Sequence, residues 1–515
     1  MTDPAPAAKK KSRWWLFVVV AVLAAVVTFV ITAMVTNIFD RKQEGQVATY
    51  NRLVDITEQT YDPAVWGENF PTQYSLYKQT SEFLGTTFAP ELVPADKDRV
   101  SKGEFVLPDG TVFIEADVPL PDSRDQTTMS KIEGDERLIT MWKGYAFAID
   151  YRHLRGHEYM LIDQQETRRT LERPQAGACL NCHTSLPQVM DELGNGDQAA
   201  GWAEMNKMPY REVVANNVAK GPIGCIDCHD PETMKLRLTR PAAINGIAAW
   251  KASQGIENFD ANKDATNEEM RSFVCAQCHV EYYMKGDEKT LTFPWADGID
   301  INDMWTYYEE TKADESFPKD WEHALTGASM LKAQHPEFET WSMGVHGDNG
   351  VSCADCHMSY IREGGQKVSN HNVKTPMNDV NATCGTCHPG STAILEERVL
   401  TIQNRFVDSR DRAMDSLMAL IAALEAEVEK GELDDATLDL ARNYQRFAGF
   451  YADFAYSENS YGFHAPDYMQ RLLSQSLDAS RMGQLVLLGV PADQLEPTAI
   501  SQDNVTAAEK RGGTL

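Results

Sequence analysis

Five copies of Cys-x-x-Cys-His mark the middle of this 515-residue sequence: Cys179-Cys182-His183, Cys225-Cys228-His229, Cys275-Cys278-His279, Cys353-Cys356-His357 and Cys384-Cys387-His388. Together they use all ten cysteines. Two thiols separated by two residues, with an imidazole directly after the second, form the attachment signature of c-type haem. The thiols add to the haem vinyls, and the histidine reaches the iron from the same stretch of backbone. Zinc or a disulfide would satisfy a single motif. Five copies with the same trailing histidine and no spare cysteine select five covalently bound haem c groups. All five attach between Cys179 and His388. So little chain per haem leaves the macrocycles to form much of the interior, close enough together to conduct electrons.

Axial ligation turns on the remaining histidines. Of twelve, seven lie outside the motifs: His153, His157, His323, His335, His346, His371 and His464. Five distal positions and seven candidates leave two possibilities open by count alone. One is a fully ligated electron wire; the other is a protein with one open iron.

The elements that position these groups read as mainly α, a multihaem cytochrome c fold with few short strands. Residues 1–13 are polar, with a basic run at Lys9, Lys10 and Lys11, and form an expected cytoplasmic tail. Residues 14–36 are apolar and long enough to span a bilayer, with Trp14 and Trp15 suited to its interface. A cleaved signal peptide is the alternative, but the run is longer than a typical one and no clear small-x-small site follows. A retained anchor is therefore expected, with the basic flank inside and the bulk on the extracytoplasmic (periplasmic or outer) side. Residues 37–60 are expected to form a helical stalk, and 61–390 the haem-bearing domain. Within the latter, Leu107-Pro108-Asp109-Gly110 reads as a turn between short extended runs. Residues 391–490 carry long helices: Leu395, Val399, Ile402, Phe406, Ala413, Leu417, Leu420, Leu424 and Val428 recur at helical spacing, Gly431 is the stop, and further helices cover 435–456 and 467–488. These helices pack on the haem domain, form a dimer interface, or both. Residues 491–515 are polar and read as a loose tail.

The formal net charge is -28. Such a surface repels nucleic acid and anionic lipid headgroups, and an anionic substrate would need a local positive funnel.

Several segments resemble the ammonia-forming cytochrome c nitrite reductases, in the order expected of that pentahaem family. They are Trp66-Gly67-Glu68-Asn69-Phe70-Pro71, Arg155-Gly156-His157 through Thr167-Arg168-Arg169-Thr170, and Cys275-Ala276-Gln277-Cys278-His279-Val280-Glu281-Tyr282-Tyr283. Met330-Leu331-Lys332-Ala333-Gln334-His335-Pro336-Glu337, Trp341 to His346, and Gly462-Phe463-His464 follow. The resemblance runs from about Tyr61 to Leu473. It implies that His157 is the distal ligand of the third-motif haem, His371 of the second, His464 of the fourth and His346 of the fifth. The first-motif haem receives none. Arg169, Tyr282 and His335 would line its open face. Glu281, the backbone carbonyls of Tyr282 and Lys332, and the side-chain oxygen of Gln334 would hold one calcium ion beside it. His153 and His323 are left as ordinary structural residues.

One departure stands out. Most of the family attaches the catalytic haem through a motif ending in lysine, and here that motif ends in His183. The resemblance implies six-electron reduction of nitrite to ammonium, fed by four bis-histidine haems. It further implies a homodimer and a quinol-linked membrane cytochrome or other electron donor as partner. A pure electron-transfer protein, and an enzyme acting on hydroxylamine or sulfite, are the competing readings.

Overall fold

The structure is a computed structural model and describes residues 14–47, 52–95, 104–106, 112–114, 125–216, 218–491 and 494–495. The chain divides into two units, Met1–Asp55 and Ile56–Leu515.

Among the described residues the first unit holds one helix, Trp14–Val47. Within it, Val18–Thr36 has a mean hydropathy of 2.9 and is wholly exposed, so it is long and apolar enough to cross a membrane. Length and composition of this kind fit an anchor or a signal sequence equally. The tail at 1–13 lies outside the described residues.

The expected helical stalk is only partly present. The helix runs on to Val47, but residues 52–60 are not helical. Thr57 N–H donates to Thr60 Oγ1 at 2.9 Å and Thr60 N–H to the Thr57 carbonyl at 3.0 Å, closing a turn. Ile56 is buried against Trp66 and Ile226. Local threonine bonds and burial of Ile56 therefore place 56–60 with the body rather than with a stalk.

The second unit is mainly helical; among the described residues its strands are two to four residues long and form five separate antiparallel pairs. Strands Glu104–Val106 and Val112–Ile114 flank the expected turn, in the register Phe105 to Phe113; the turn residues lie outside the described set. The haem motifs sit on single helical turns. His229, His279 and His388 each donate their backbone N–H to the first cysteine of the same motif, at 2.9, 3.0 and 2.9 Å. One such turn sets cysteine and histidine on a common face, as attachment requires.

Three long helices close the fold: Thr392–Lys430, Asp435–Ser457 and Pro466–Leu487. Gly431 ends the first in the left-handed region at φ 66°, where glycine is favoured. Asp434 caps the second by accepting from Thr437 N–H at 2.7 Å. The first helix buries Val399, Phe406, Ala413, Leu417, Leu420 and Leu424, the apolar stripe legible in the sequence. Phe450 and Phe454 of the second join the core of Trp295 and Phe338, so the helices pack onto the haem-bearing region. Leu495 packs with Leu420 and Leu424.

Candidate active site

Eight histidines meet in four pairs. Ring centres lie 6.4 Å apart for His157 and His279, 6.2 Å for His229 and His371, 6.2 Å for His346 and His388, and 6.3 Å for His357 and His464. Metal–imidazole bonds are about 2 Å and each ring nitrogen is about 1 Å from its ring centre, so two imidazoles on opposite sides of one iron stand about 6 Å apart. Each pair joins a motif histidine to a histidine from elsewhere in the chain.

The second-neighbour contacts fix which nitrogen is available. Nδ1 of His229, His357 and His371 lies 3.0, 2.9 and 2.9 Å from the carbonyls of Met234, Lys374 and Ser369. A carbonyl only accepts, so Nδ1 carries the proton and the Nε2 lone pair is free for a metal. His279 and His464 instead place Nδ1 3.7 Å from Glu337 and 2.7 Å from Glu458.

His183 has the same preparation, with Nδ1 2.7 Å from the Met160 carbonyl. Among the described residues, however, it has no imidazole ring partner. Neither left-over histidine fills that place. His323 is 1% exposed and bonds to the Thr140 carbonyl at 2.9 Å and Thr326 Oγ1 at 3.2 Å. His153 pairs with no other histidine ring among the described residues.

Arg169, Tyr282 and His335 come from three separate segments and converge on the first motif. The guanidinium of Arg169 acts on Cys179, His183 and Tyr282 through its charge. It lies 4.4 Å from the Phe147 ring centre and reaches the Asp150 carbonyl at 3.4 Å. Among the described residues it has no carboxylate partner to neutralise its charge. Burial raises the Tyr282 hydroxyl well above its ordinary pKa, and the neighbouring Cys182 and Cys179 add to this, so it keeps its proton. Burial lowers His335 to about 3; Glu337 opposes this and His279, His183 and Lys332 reinforce it, leaving a neutral imidazole.

Cysteines of different motifs also lie near one another: Cys182 near Cys278, and Cys275 near Cys353. The third motif is therefore a neighbour of both the first and the fourth.

Beside this site Glu281 is fully buried and has no ion-pair partner among the described residues. Its Oε1 accepts from Tyr308 Oη at 2.9 Å and its Oε2 from Gln334 N–H at 2.6 Å. Burial raises its pKa well above the ordinary carboxylate value, with Glu339 and Asp320 adding to the effect. Gln334 Nε2 lies 3.4 Å from the Lys332 carbonyl. Among the described residues no three His, Cys, Asp or Glu side chains form a metal cluster. The expected donors are instead one carboxylate, one amide and two backbone carbonyls, all oxygen, a set that suits a hard cation. A buried carboxylate without a cation is the feature such an ion would resolve.

Comparison with known proteins decides the family. The profile of the Cytochrome c552 family matches residues 62–513. The chain belongs to the Cytochrome c552 family. Among members of this family, cytochrome c-552 of Bacteroides fragilis (strain YCH46) is 33% identical over 510 residues, covering 98% of this chain and 92% of that protein. Cytochrome c-552 of Parabacteroides distasonis is 38% identical over 369 residues, covering 70% of each. A solved cytochrome c nitrite reductase from Desulfovibrio desulfuricans ATCC 27774, whose catalytic subunit (NrfA) has two calcium sites, superposes with a TM-score of 0.68. It shares 28% identity, over 86% of this chain and 90% of its own. The Cytochrome c552 fold is thus the fold of this chain: helical, with short strands and long C-terminal helices.

Some residues at this Cytochrome c552 site carry no motif. Asp453 is the clearest. Its only signal is a carboxylate set among Tyr451, Ala452, Phe454 and Ala455, all buried, where a charge needs a partner. Phe147, under Arg169, and Glu458, beside His464, likewise gain meaning only from neighbours distant in sequence.

Proposed function

We propose that this chain is an ammonia-forming nitrite reductase with five covalently attached haem c groups and one calcium ion. The observation that carries this reading is the histidine arrangement: four motif histidines face a second imidazole at 6.2–6.4 Å, and His183 does not. In this reading His157 and His279 hold the third haem, His371 and His229 the second, His464 and His357 the fourth, and His346 and His388 the fifth. The nearness of these motifs then supports a path from the fourth haem through the third to the first.

Reduction of nitrite to ammonium takes six electrons and eight protons and releases two waters. When bound, the haem at His183 supplies the electrons and a position for the substrate nitrogen. Arg169 binds the anion and balances negative charge as oxygen leaves. Its freedom from carboxylates gives the acidic protein the local positive charge that an anionic substrate needs. Tyr282 keeps its hydroxyl proton and donates a hydrogen bond to a substrate oxygen. His335, neutral, accepts and passes protons at the same face. His183 in place of the usual lysine would hold the haem through an imidazole rather than an amine and so give it a ligand of different basicity.

Glu281, the carbonyls of Tyr282 and Lys332, and Gln334 hold the calcium. Holding a cation would favour the charged form of Glu281, and these ligands would then tie together the segments carrying Tyr282 and His335. Gln334 presents its amide nitrogen towards the Lys332 carbonyl, so a bound cation requires the amide turned over to offer oxygen.

Residues 14–36 anchor the protein with its body outside the cytoplasm, in reach of a quinol-linked membrane cytochrome or other donor. Residues 391–490 form a homodimer interface as well as the packed bundle. The test is ammonium yield from nitrite with reduced viologen, at six electrons per ammonium. Absence of ammonium would leave an electron-transfer cytochrome. A higher kcat/KM on hydroxylamine or sulfite would move the reading to that substrate.

A further inference from the structure

Three consecutive backbone N–H groups leading to His335 each donate to a different carboxylate. Lys332 N–H reaches Asp320 Oδ2 at 2.8 Å, Ala333 N–H reaches Asp453 Oδ2 at 3.2 Å, and Gln334 N–H reaches Glu281 Oε2 at 2.6 Å. Glu281 is absorbed by the calcium reading; Asp453 is not. It lies near the end of helix Asp435–Ser457, 1% exposed, and both of its oxygens are engaged twice. Oδ1 accepts from Lys332 Nζ at 2.9 Å and from Ser457 Oγ at 2.9 Å, and Oδ2 also accepts from Trp142 Nε1 at 3.0 Å. Lys332 Nζ is completed by Ser457 Oγ at 3.0 Å and by the Ala333 carbonyl, and stands 4.7 Å over the Trp142 ring.

A buried ion pair is a poor device for stability alone, because apolar side chains of similar volume do as well or better. A fully satisfied buried network instead selects one arrangement of the groups it joins. The groups joined here are the side chain of residue 332 and the backbone of residue 333. They stand directly before the two residues read as calcium ligand and substrate-facing imidazole.

We propose that Asp453 is a positioning residue for the nitrite site. Together with Lys332 it locks the 332–335 segment so that the Lys332 carbonyl and Gln334 meet the cation and His335 faces the substrate. The long helix that packs the bundle is thereby tied to the active site. This rests on the calcium and His335 reading above.

The test uses the full-length, haem-loaded enzyme in detergent, comparing Asp453→Asn, Asp453→Ala and the double variant Lys332→Met/Asp453→Leu. The double variant removes both charges together and so leaves no unpaired ion to unfold the protein. Calcium affinity is measured by titration of the calcium-depleted enzyme, with kcat and KM for nitrite and the low-spin haem spectrum alongside. Outer partners of metal sites typically contribute about 10–100-fold to affinity or activity. The expected result is a loss of that size in calcium affinity and kcat for Asp453→Ala and for the double variant, a smaller loss for Asp453→Asn, and an unchanged low-spin spectrum. A double variant with wild-type calcium affinity and kcat, shifted only in thermal midpoint, would overturn the proposal. If the wild-type enzyme binds no calcium, the calcium reading fails separately, and kcat alone decides for or against Asp453.

Discussion

The ring centres of His157 and His279 stand 6.4 Å apart, one on a short turn beside Gly156 and the other closing the third Cys-x-x-Cys-His motif. The same separation recurs in three further pairs, and His183 stands outside the pattern. In the proposed function that difference separates an electron-carrying position from one that takes a substrate.

Removing a distal ligand should therefore open a second iron. His157→Ala is expected to keep five haems and convert one low-spin ferric haem to high-spin, with a second cyanide-binding site appearing. An unchanged low-spin spectrum would show that His157 ligates nothing.

Arg169 should act through its charge and its planar shape together. Arg169→Ala is expected to lower kcat/KM for nitrite by about 10²–10³, the usual scale for losing one electrostatic donor in an active site. Arg169→Lys keeps the charge but loses the stacked fork over Phe147, so partial recovery is expected. Steady-state assays with an artificial reductant measure both, and equal activity of all three enzymes would remove Arg169 from the site.

Much of this was legible before any coordinates. The motif is local, so haem attachment follows from spacing, and the stripe from Val399 to Leu424 with its Gly431 stop follows from helical period. The partners of the motif histidines are set by tertiary structure, and only resemblance named them in advance. Residues 52–60 depart from the helical stalk expected over 37–60 because the Thr57–Thr60 bonds and the burial of Ile56 hold a turn there. Asp453 was illegible because its meaning depends on Lys332 and Trp142, which reach it from other elements.

Calcium removal should weaken turnover while leaving all five haems attached. With the ion gone, burial raises the Glu281 pKa and disfavours its charged form, and the segments of Tyr282 and His335 lose their common anchor. A loss of about 10–100-fold is expected on chelation and in Glu281→Ala, restored by added calcium only in the wild type. Full activity in a sample shown by metal analysis to be calcium-free would contradict the site.

Lys131 gives a prediction for stability against pH. Burial lowers its pKa from 10.5 to about 8; Glu337 opposes, Lys332 and Arg410 reinforce, and Glu458 opposes. Among the described residues its Nζ donates to Asn459 Oδ1 at 3.2 Å and Tyr151 Oη at 3.5 Å, with no carboxylate in reach. Between pH 8 and 10.5 the unfolded chain holds a proton that the folded chain has released, so this group adds stability as pH rises through that window. Below pH 8 both states are protonated and the full cost, about 3 kcal/mol, remains. Lys131→Met should raise the thermal midpoint at pH 7, and the gain should shrink towards pH 10.5. A gain independent of pH would show that Lys131 titrates normally.

The most direct test of the account is the spin state of the ferric enzyme with and without cyanide. Four paired sites and one unpaired site at His183 predict one high-spin haem in five, which binds cyanide, turns low-spin and loses nitrite reduction in proportion. Five low-spin haems that ignore cyanide would contradict the account and leave the protein an electron carrier.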